Sequence, residues 1–397
     1  MITLSKLAGM VVPSATLAAG AKARQLRAAG TTVYDFSLGE PDFNTPEHIC
    51  EAAAKAMRAG HTHYTPANGI AELRAAVARF YKRAYGLDCA ADQVIISNGA
   101  KHSVHTALAA VCDPGDEVII PTPYWVSYSE LVRMTGAEPV LVPTTAESGF
   151  KMTPGQLRKA ISPRTKLLML NSPCNPTGTV YRRAELEELA DIVLDAGAHI
   201  LSDEIYEQLT FGGAEPTCVA TLRPELRERT ITVSGASKTY AMTGWRIGWT
   251  VAPAPVVQAM GNIQSQQSGS PCSISQYAAL AALEGPQDCV AEMRAQFEAR
   301  RDLVCERLAA IPGLKFPRPE GAFYVFIDVS AYFGKTLGGV AVTDSLSFCR
   351  AALEGAHVNL VPGSAFGAEG FVRMSYAAAT DQLELGLRQL GHLLGQA

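Results

Sequence analysis

One lysine stands where chemistry could be done. The stretch Ser234-Gly235-Ala236-Ser237-Lys238 follows a short apolar run, Ile231-Thr232-Val233. If that run is a parallel strand, Lys238 sits at its carboxyl end, where open α/β sheets bind ligands. Two further apolar runs end in polar residues of complementary kinds. Leu201 is followed by Ser202-Asp203-Glu204-Ile205-Tyr206, and Leu170 by Asn171-Ser172-Pro173-Cys174-Asn175-Pro176-Thr177-Gly178. Alone, Lys238 reads as a solvated loop residue, Asp203 as a helix cap and Asn175 as a turn former. Together, an amine, a carboxylate, a phenol and an amide at three strand ends match what pyridoxal phosphate requires. The amine bonds to the cofactor, and the carboxylate keeps a proton on the pyridine nitrogen so that the ring withdraws electrons. The phenol and the amide hydrogen-bond the ring 3-oxygen, while an arginine and hydroxyls bind the phosphate.

Such a site needs a sheet to align the strand ends. Short apolar runs at 94–96, 118–120, 140–142, 166–170, 199–201 and 231–233 read as strands, and 247–251 adds another. They are continuous rather than alternating, which suits strands buried on both faces of a mostly parallel sheet. Helical periodicity fills the gaps at 71–84, 101–111 and 183–195. This alternation predicts an α/β architecture with helices on both sides of the sheet. After about residue 254 the pattern changes. A helical stretch over 256–283 is interrupted at Gly269-Ser270-Pro271, and a second runs over 287–310. A strand follows at 322–327 and a last helix at 381–394, which together read as a smaller α+β domain. The expected division is an N-terminal segment (1–45) belonging to the small domain, a large domain (46–285) and a small C-terminal domain (286–397).

Composition narrows the field further. The chain has 397 residues, of which 48% are hydrophobic and 18% charged, as in ordinary globular proteins. Its net charge of -4 offers no field for nucleic acid or an acidic membrane surface. No 18-residue apolar run and no secretory signal pattern is present, so a cytoplasmic protein is expected. The nine cysteines are scattered without a CxxC pair, which argues against a structural zinc site and for free thiols. The eight histidines are dispersed; His102 and His105 share a helix face, but two ligands do not make a metal site. No metal is expected. GxGxxG after a strand, GxxxxGK[ST], HExxH and GxSxG are all absent.

The ordered motifs identify a family. Gly39-Glu40-Pro41-Asp42-Phe43, Tyr64-Thr65-Pro66, Asn98-Gly99-Ala100-Lys101, Pro123-Tyr124-Trp125, Asn175-Pro176-Thr177-Gly178, Ser202-Asp203-Glu204-Ile205-Tyr206, Ser237-Lys238, Gly244-Trp245-Arg246-Ile247-Gly248 and Arg373-Met374-Ser375-Tyr376 occur in sequence. Over essentially its whole length the chain resembles the class I pyridoxal-phosphate aminotransferases of fold type I, in their bacterial aspartate aminotransferase branch. The resemblance implies a mostly parallel seven-stranded sheet in the large domain. It makes Lys238 the covalent cofactor lysine and later the proton shuttle, and it pairs Asp203 with the pyridine nitrogen. Tyr206 and Asn175 would bond the 3-oxygen, and Trp125 would stack on the ring. The backbone at Gly99, Ala100 and Lys101 would bind the phosphate with Ser237 and Arg246, as helix N-termini do. Tyr64 would reach the phosphate in the other subunit of a homodimer with shared sites.

Substrate recognition follows from the same resemblance. Arg373 would fork onto the substrate α-carboxylate, with the Gly39 backbone and Asn175 assisting, and Pro13-Ser14-Ala15-Thr16 would cover the site. Lys101 and Thr16 would hold a distal carboxylate, so aspartate with 2-oxoglutarate is the expected substrate pair, exchanged by a ping-pong mechanism. Relatives that accept prephenate tend to carry a lysine just before the proline of the Pro-Ser-Ala-Thr segment. Val12 stands there instead and counts against prephenate. A broader transaminase or a lyase on the same fold would use the same Lys238 and Asp203. A third class, an effector-binding module of a transcription factor, needs a DNA-binding segment ahead of the fold. Here the resemblance begins within the first dozen residues.

Overall fold

Seven runs of aliphatic residues assemble one sheet in a computed structural model that describes residues 2–13 and 15–395, with the side chains of residues 15–19 outside that description. The strands are β1 (Val94–Ser97), β2 (Glu117–Thr122), β3 (Glu138–Pro143), β4 (Thr165–Asn171), β5 (His199–Asp203), β6 (Thr230–Gly235) and β7 (Gly248–Val251). Their spatial order is β1-β7-β6-β5-β4-β2-β3. Strand β7 runs against both of its neighbours, and the other pairings are parallel. Both faces are covered, which explains the continuous apolar runs. Leu167, Met169, Leu201 and Ile231 pack with Val104 and Leu108 of one helix. Leu168, Leu170 and Ile200 pack on the other face with Leu186, Leu189 and Val193. Each such side chain contributes about 1.5–3 kcal/mol by leaving water.

Four helices bear on the site: α1 (Ala71–Tyr85), α2 (Ala100–Val111), α3 (Tyr128–Arg133) and α4 (Asp288–Ala309). The stretch expected as one interrupted helix is two, Ala254–Gln267 and Ser273–Glu284. The break holds Gly269, whose φ of 75° suits glycine, and Pro271. Beyond α4 a three-stranded antiparallel sheet places Phe371–Ser375 between Val361–Pro362 and Tyr324–Asp328. Near the start of the chain, Tyr34–Asp35 pairs in parallel with Val358–Asn359. The strands at 358–359 and 361–362 are only two residues long, too short to leave a periodic signal. No helix of the described residues is long and apolar enough to cross a membrane.

Candidate active site

Register brings the expected residues together. Asn171 is level with Asp203 across β4 and β5, and Asp203 with Val233 across β5 and β6. The three carboxyl ends thus open onto one cavity of about 210 Å³, lined by Asn175, Asp203, Tyr206, Ser237 and Lys238 among others. Asp203 is buried and accepts a hydrogen bond from the Tyr128 hydroxyl at 2.6 Å and one from the Ile205 N–H at 3.2 Å. Burial pushes its carboxyl up to about 6, against the pull of those two donors and of Lys238. Lys238 donates from Nζ to the Gly39 carbonyl at 2.5 Å. Burial pushes the lysine down to about 8, helped by the charges of Arg246 and Arg373 and opposed by Glu40 and Asp203.

An anion-binding end lies beside this pair. Helix α2 begins at Ala100 with Gly99 as its N-cap, and no side chain caps it, so its first N–H groups are left for a ligand. Gly99 has φ 85° and ψ 160°, a glycine conformation, and a Cβ there would stand 2.4 Å from Arg246 Nη2. Arg246 itself has φ 56° and donates from Nη1 to the Thr243 carbonyl at 2.7 Å. It lines the cavity with Ala100, Lys101 and Ser237.

Arg373 supplies a second anion site. It is 1% exposed, with Nη1 donating to Asn175 Oδ1 at 3.0 Å and Nη2 to the Ser37 carbonyl at 2.6 Å. Its guanidinium carbon lies 4.5 Å from the Tyr324 ring centroid and 5.1 Å from that of Phe366. Its Nε is buried without a hydrogen-bond partner. A buried guanidinium with a donor to spare and no carboxylate partner among the described residues is arranged for a carboxylate ligand. Across the cavity's exposed rim stands Lys101, with Nζ 4.9 Å from the Trp125 ring centroid and no ion pair among the described residues. Partial burial and the charge of Arg246 lower its pKa.

Residues 31–386 match the family model described as Aminotransferase class I and II. The chain belongs to this family. It is 46% identical to the aspartate aminotransferase of Geobacillus stearothermophilus over 387 residues, covering 98% of each chain. It is 48% identical to the aspartate/prephenate aminotransferase of Cereibacter sphaeroides over 385 residues, covering 96% of each. Among solved structures, aspartate aminotransferase from Thermus thermophilus with maleate superposes with a TM-score of 0.94 at 42% identity, covering 99% of this chain and all of that one. The enzyme is thus a fold-type I aminotransferase, and its cofactor is pyridoxal 5'-phosphate. The pocket fits that group: a covalent-capable lysine of lowered pKa, a buried carboxylate and an uncapped helix start line one cavity.

Most expected site residues meet in this cavity, including Gly39, Trp125 and Arg373. Gly99 stands just behind it, against Arg246. Tyr64 does not line it and is 98% exposed. Thr16 falls on the helix Ala15–Ala28, but its side chain and Ser14 lie outside the described residues. Four liners were not anticipated as site residues: Tyr128, Asn171, Ile205 and Tyr324. Tyr128 was within reach of sequence reasoning, since it follows Trp125 by three residues, and the two rings meet edge to face at 5.3 Å. Asn171, whose Nδ2 donates to the Asp203 carbonyl at 2.9 Å, ends the very strand that was read. Tyr324, whose hydroxyl is 2.8 Å from that of Tyr206, arrives from the second sheet and has no local signal.

Proposed function

We propose that the enzyme exchanges the amino group between L-aspartate and 2-oxoglutarate, giving oxaloacetate and L-glutamate. One observation carries the reading: two cations without carboxylate partners among the described residues, Arg373 in the depth and Lys101 at the rim, line one cavity. A substrate with carboxylates at both ends answers both. The relatives point the same way, and the maleate bound in the Thermus structure is a four-carbon dicarboxylate. The Cereibacter name adds prephenate. Val12, an exposed residue whose N–H donates to Glu130 Oε2 at 3.2 Å, brings no cation to that end of the cover and favours the narrower reading.

The bound cofactor supplies an aldehyde carbon that carries the amino group and a ring that withdraws electrons from the substrate Cα. Lys238 would hold it through its amine, and that amine, when free, would take up the proton of the substrate Cα. An amine of pKa about 8 is about one-tenth neutral at pH 7 and about half neutral at pH 8, so a far larger share of it can accept that proton than of an ordinary lysine. Asp203 holds a proton at the ring nitrogen, and Tyr128 keeps that carboxylate oriented. Tyr206 and Asn175, which line the cavity, would bind the ring 3-oxygen, and Trp125 would stack on the ring. The phosphate is held by the α2 N–H groups at Gly99, Ala100 and Lys101, by Ser237 and Arg246, and by Tyr64 from the second subunit of a homodimer. Arg373, the Gly39 backbone and Asn175 orient the α-carboxylate; Lys101 and Thr16 take the distal one.

Residues 1–45 and 286–397 form, in this reading, one unit that closes over 46–285. The pairing of Tyr34–Asp35 with Val358–Asn359 supports it. The test is a single-turnover panel that follows the cofactor absorbance with aspartate, glutamate, an aromatic amino acid and alanine. Aspartate and glutamate should convert the spectrum fastest, and oxaloacetate or 2-oxoglutarate should restore it. Faster conversion by the aromatic amino acid would overturn the substrate assignment. Retention of a borohydride-reducible cofactor link in K238A would overturn the lysine assignment.

A further inference from the structure

Glu204 and Glu207 lie in the turn just beyond Asp203, and none of the roles above uses them. They are 2% and 3% exposed. Glu204 Oε1 accepts from the Ser202 hydroxyl at 2.8 Å and from the Val219 N–H at 3.2 Å, on the face opposite Asp203 by strand alternation. Glu207 Oε1 accepts from the Ser234 hydroxyl of β6 at 2.7 Å. No lysine or arginine forms an ion pair with either carboxylate among the described residues. The titratable groups facing them are acidic or neutral: Tyr81 and Tyr85 from α1, Cys218 from the segment after β5, Tyr240 after β6, and Asp203 itself. Among the described residues, Glu207 Oε2 and the hydroxyls of Tyr81 and Tyr85 are buried without a well-formed hydrogen bond, the Tyr85 hydroxyl facing the carboxylate as its weak donor.

Two adjacent buried carboxylates with no counter-charge are strongly disfavoured in the ionised form. A protonated acid has a donor as well as acceptors, so it can use phenol and hydroxyl neighbours that an anion cannot fully satisfy. The electrostatics agree. Burial, then the charge of Glu207, pushes Glu204 up to about 8; burial, with the charge of Asp203, pushes Glu207 up to about 7.

We propose that Glu204 and Glu207 are positioning residues for Asp203: below neutral pH they hold protons behind its turn, so that Asp203 carries the only negative charge there. The inference rests on the reading of Asp203 as the partner of the ring nitrogen. Ionising the pair would set a second anion beside Asp203, raise its affinity for a proton and loosen the turn that aims it.

Infrared spectroscopy of the holoenzyme tests this directly. The parent at pH 6.5 should show the carbonyl stretch of a buried protonated carboxylic acid, fading as the pH is raised to 9. E204Q and E207Q should each remove part of that band. Glutamine keeps the shape of the neutral acid, so E207Q should recover most of the activity that E207A loses. The ratio of kcat/KM at pH 8.5 to that at pH 6.5 should be higher in E207Q than in the parent, by roughly threefold. Thermal unfolding of the cofactor-free protein gives a readout independent of turnover. Both acids bind their proton more tightly when folded than their ordinary value of 4.5. Their stabilising contribution is therefore complete below pH 4.5 and lost as the pH rises through 7 to 8. The E204Q/E207Q double variant should flatten that decline. Absence of the band from the parent at pH 6.5, or an E207Q pH profile that overlays the parent's, overturns the proposal and leaves the role of Asp203 standing. Near-normal turnover of D203N would instead overturn the role of Asp203.

Discussion

Tyr128 does for Asp203 what no residue in the strand itself can do. Its hydroxyl donates to the carboxylate at 2.6 Å, and this bond opposes the burial that lifts the aspartate. Removing it in Y128F should raise the Asp203 pKa from about 6. A hydrogen bond to a charged group contributes about 1.5–3 kcal/mol, or roughly one to two pH units. The acid limb of the pH–rate profile should move upward by that order, as should the Asp203 carboxyl signal of the cofactor-free protein in a carbon NMR titration. An unmoved titration would show that Tyr128 is only packing. In the proposed reading Lys101 contributes to substrate choice rather than to chemistry. K101M should lower kcat/KM for aspartate by about one to two decades, from the same range of energies, and leave an aromatic amino acid little affected. Equal losses on both would return Lys101 to the cofactor or the fold.

Elements deliver these residues through register. Side chains alternate along a strand, so a one-residue slip of β5 would turn Asp203 away and present Ser202 or Glu204 to the cavity. Strand-end placement is why Lys238, Asp203 and Asn175 were legible from short apolar runs followed by polar residues. Tyr324 and the backing of Arg373 by the Ser37 carbonyl were not legible, because they depend on how the second sheet meets the first. The break between Ala254–Gln267 and Ser273–Glu284 was visible as Gly-Ser-Pro, yet periodicity alone ran the two helices together. At the start of α2, G99A tests whether the conformation serves the ligand. A Cβ there meets Arg246 Nη2 at 2.4 Å, and the guanidinium must give way. The backbone adds a cost of about 1–3 kcal/mol for a non-glycine residue in that region. Cofactor affinity, titrated by fluorescence on the cofactor-free protein, should fall by roughly tenfold or more. Unchanged affinity would mean that Arg246 does not hold the phosphate.

Across the whole molecule, the stretch Gly39–Phe43 ties the two sheets together. Glu40 Oε2 accepts from the Thr243 hydroxyl at 2.7 Å, and Asp42 forms a two-pronged pair with Arg300 of α4 at 2.6 and 3.0 Å. Between those anchors and the cavity lies Gly39, whose carbonyl holds the Lys238 amine. In the proposed homodimer Tyr64 would serve the partner's phosphate site, and its 98% exposure leaves it free to do so. Mixing inactive Lys238 and Tyr64 variants should restore part of the activity through hybrid sites. A fully active monomer in sedimentation would refute the shared site.

The placement of Arg373 on the second sheet has a consequence for synthesis. All seven strands of the first sheet, and the Lys238 and Asp203 they carry, are made before Tyr324 and Arg373 leave the ribosome. Lys238 precedes Arg373 by about 130 residues, which at the usual pace of translation is roughly ten seconds. If the proposed roles hold, during that interval a nascent chain owns the amine that captures an aldehyde without owning the guanidinium that selects an amino acid. Ribosome-held chains that end before residue 320 are therefore expected to trap pyridoxal phosphate under borohydride while showing no preference among substrates.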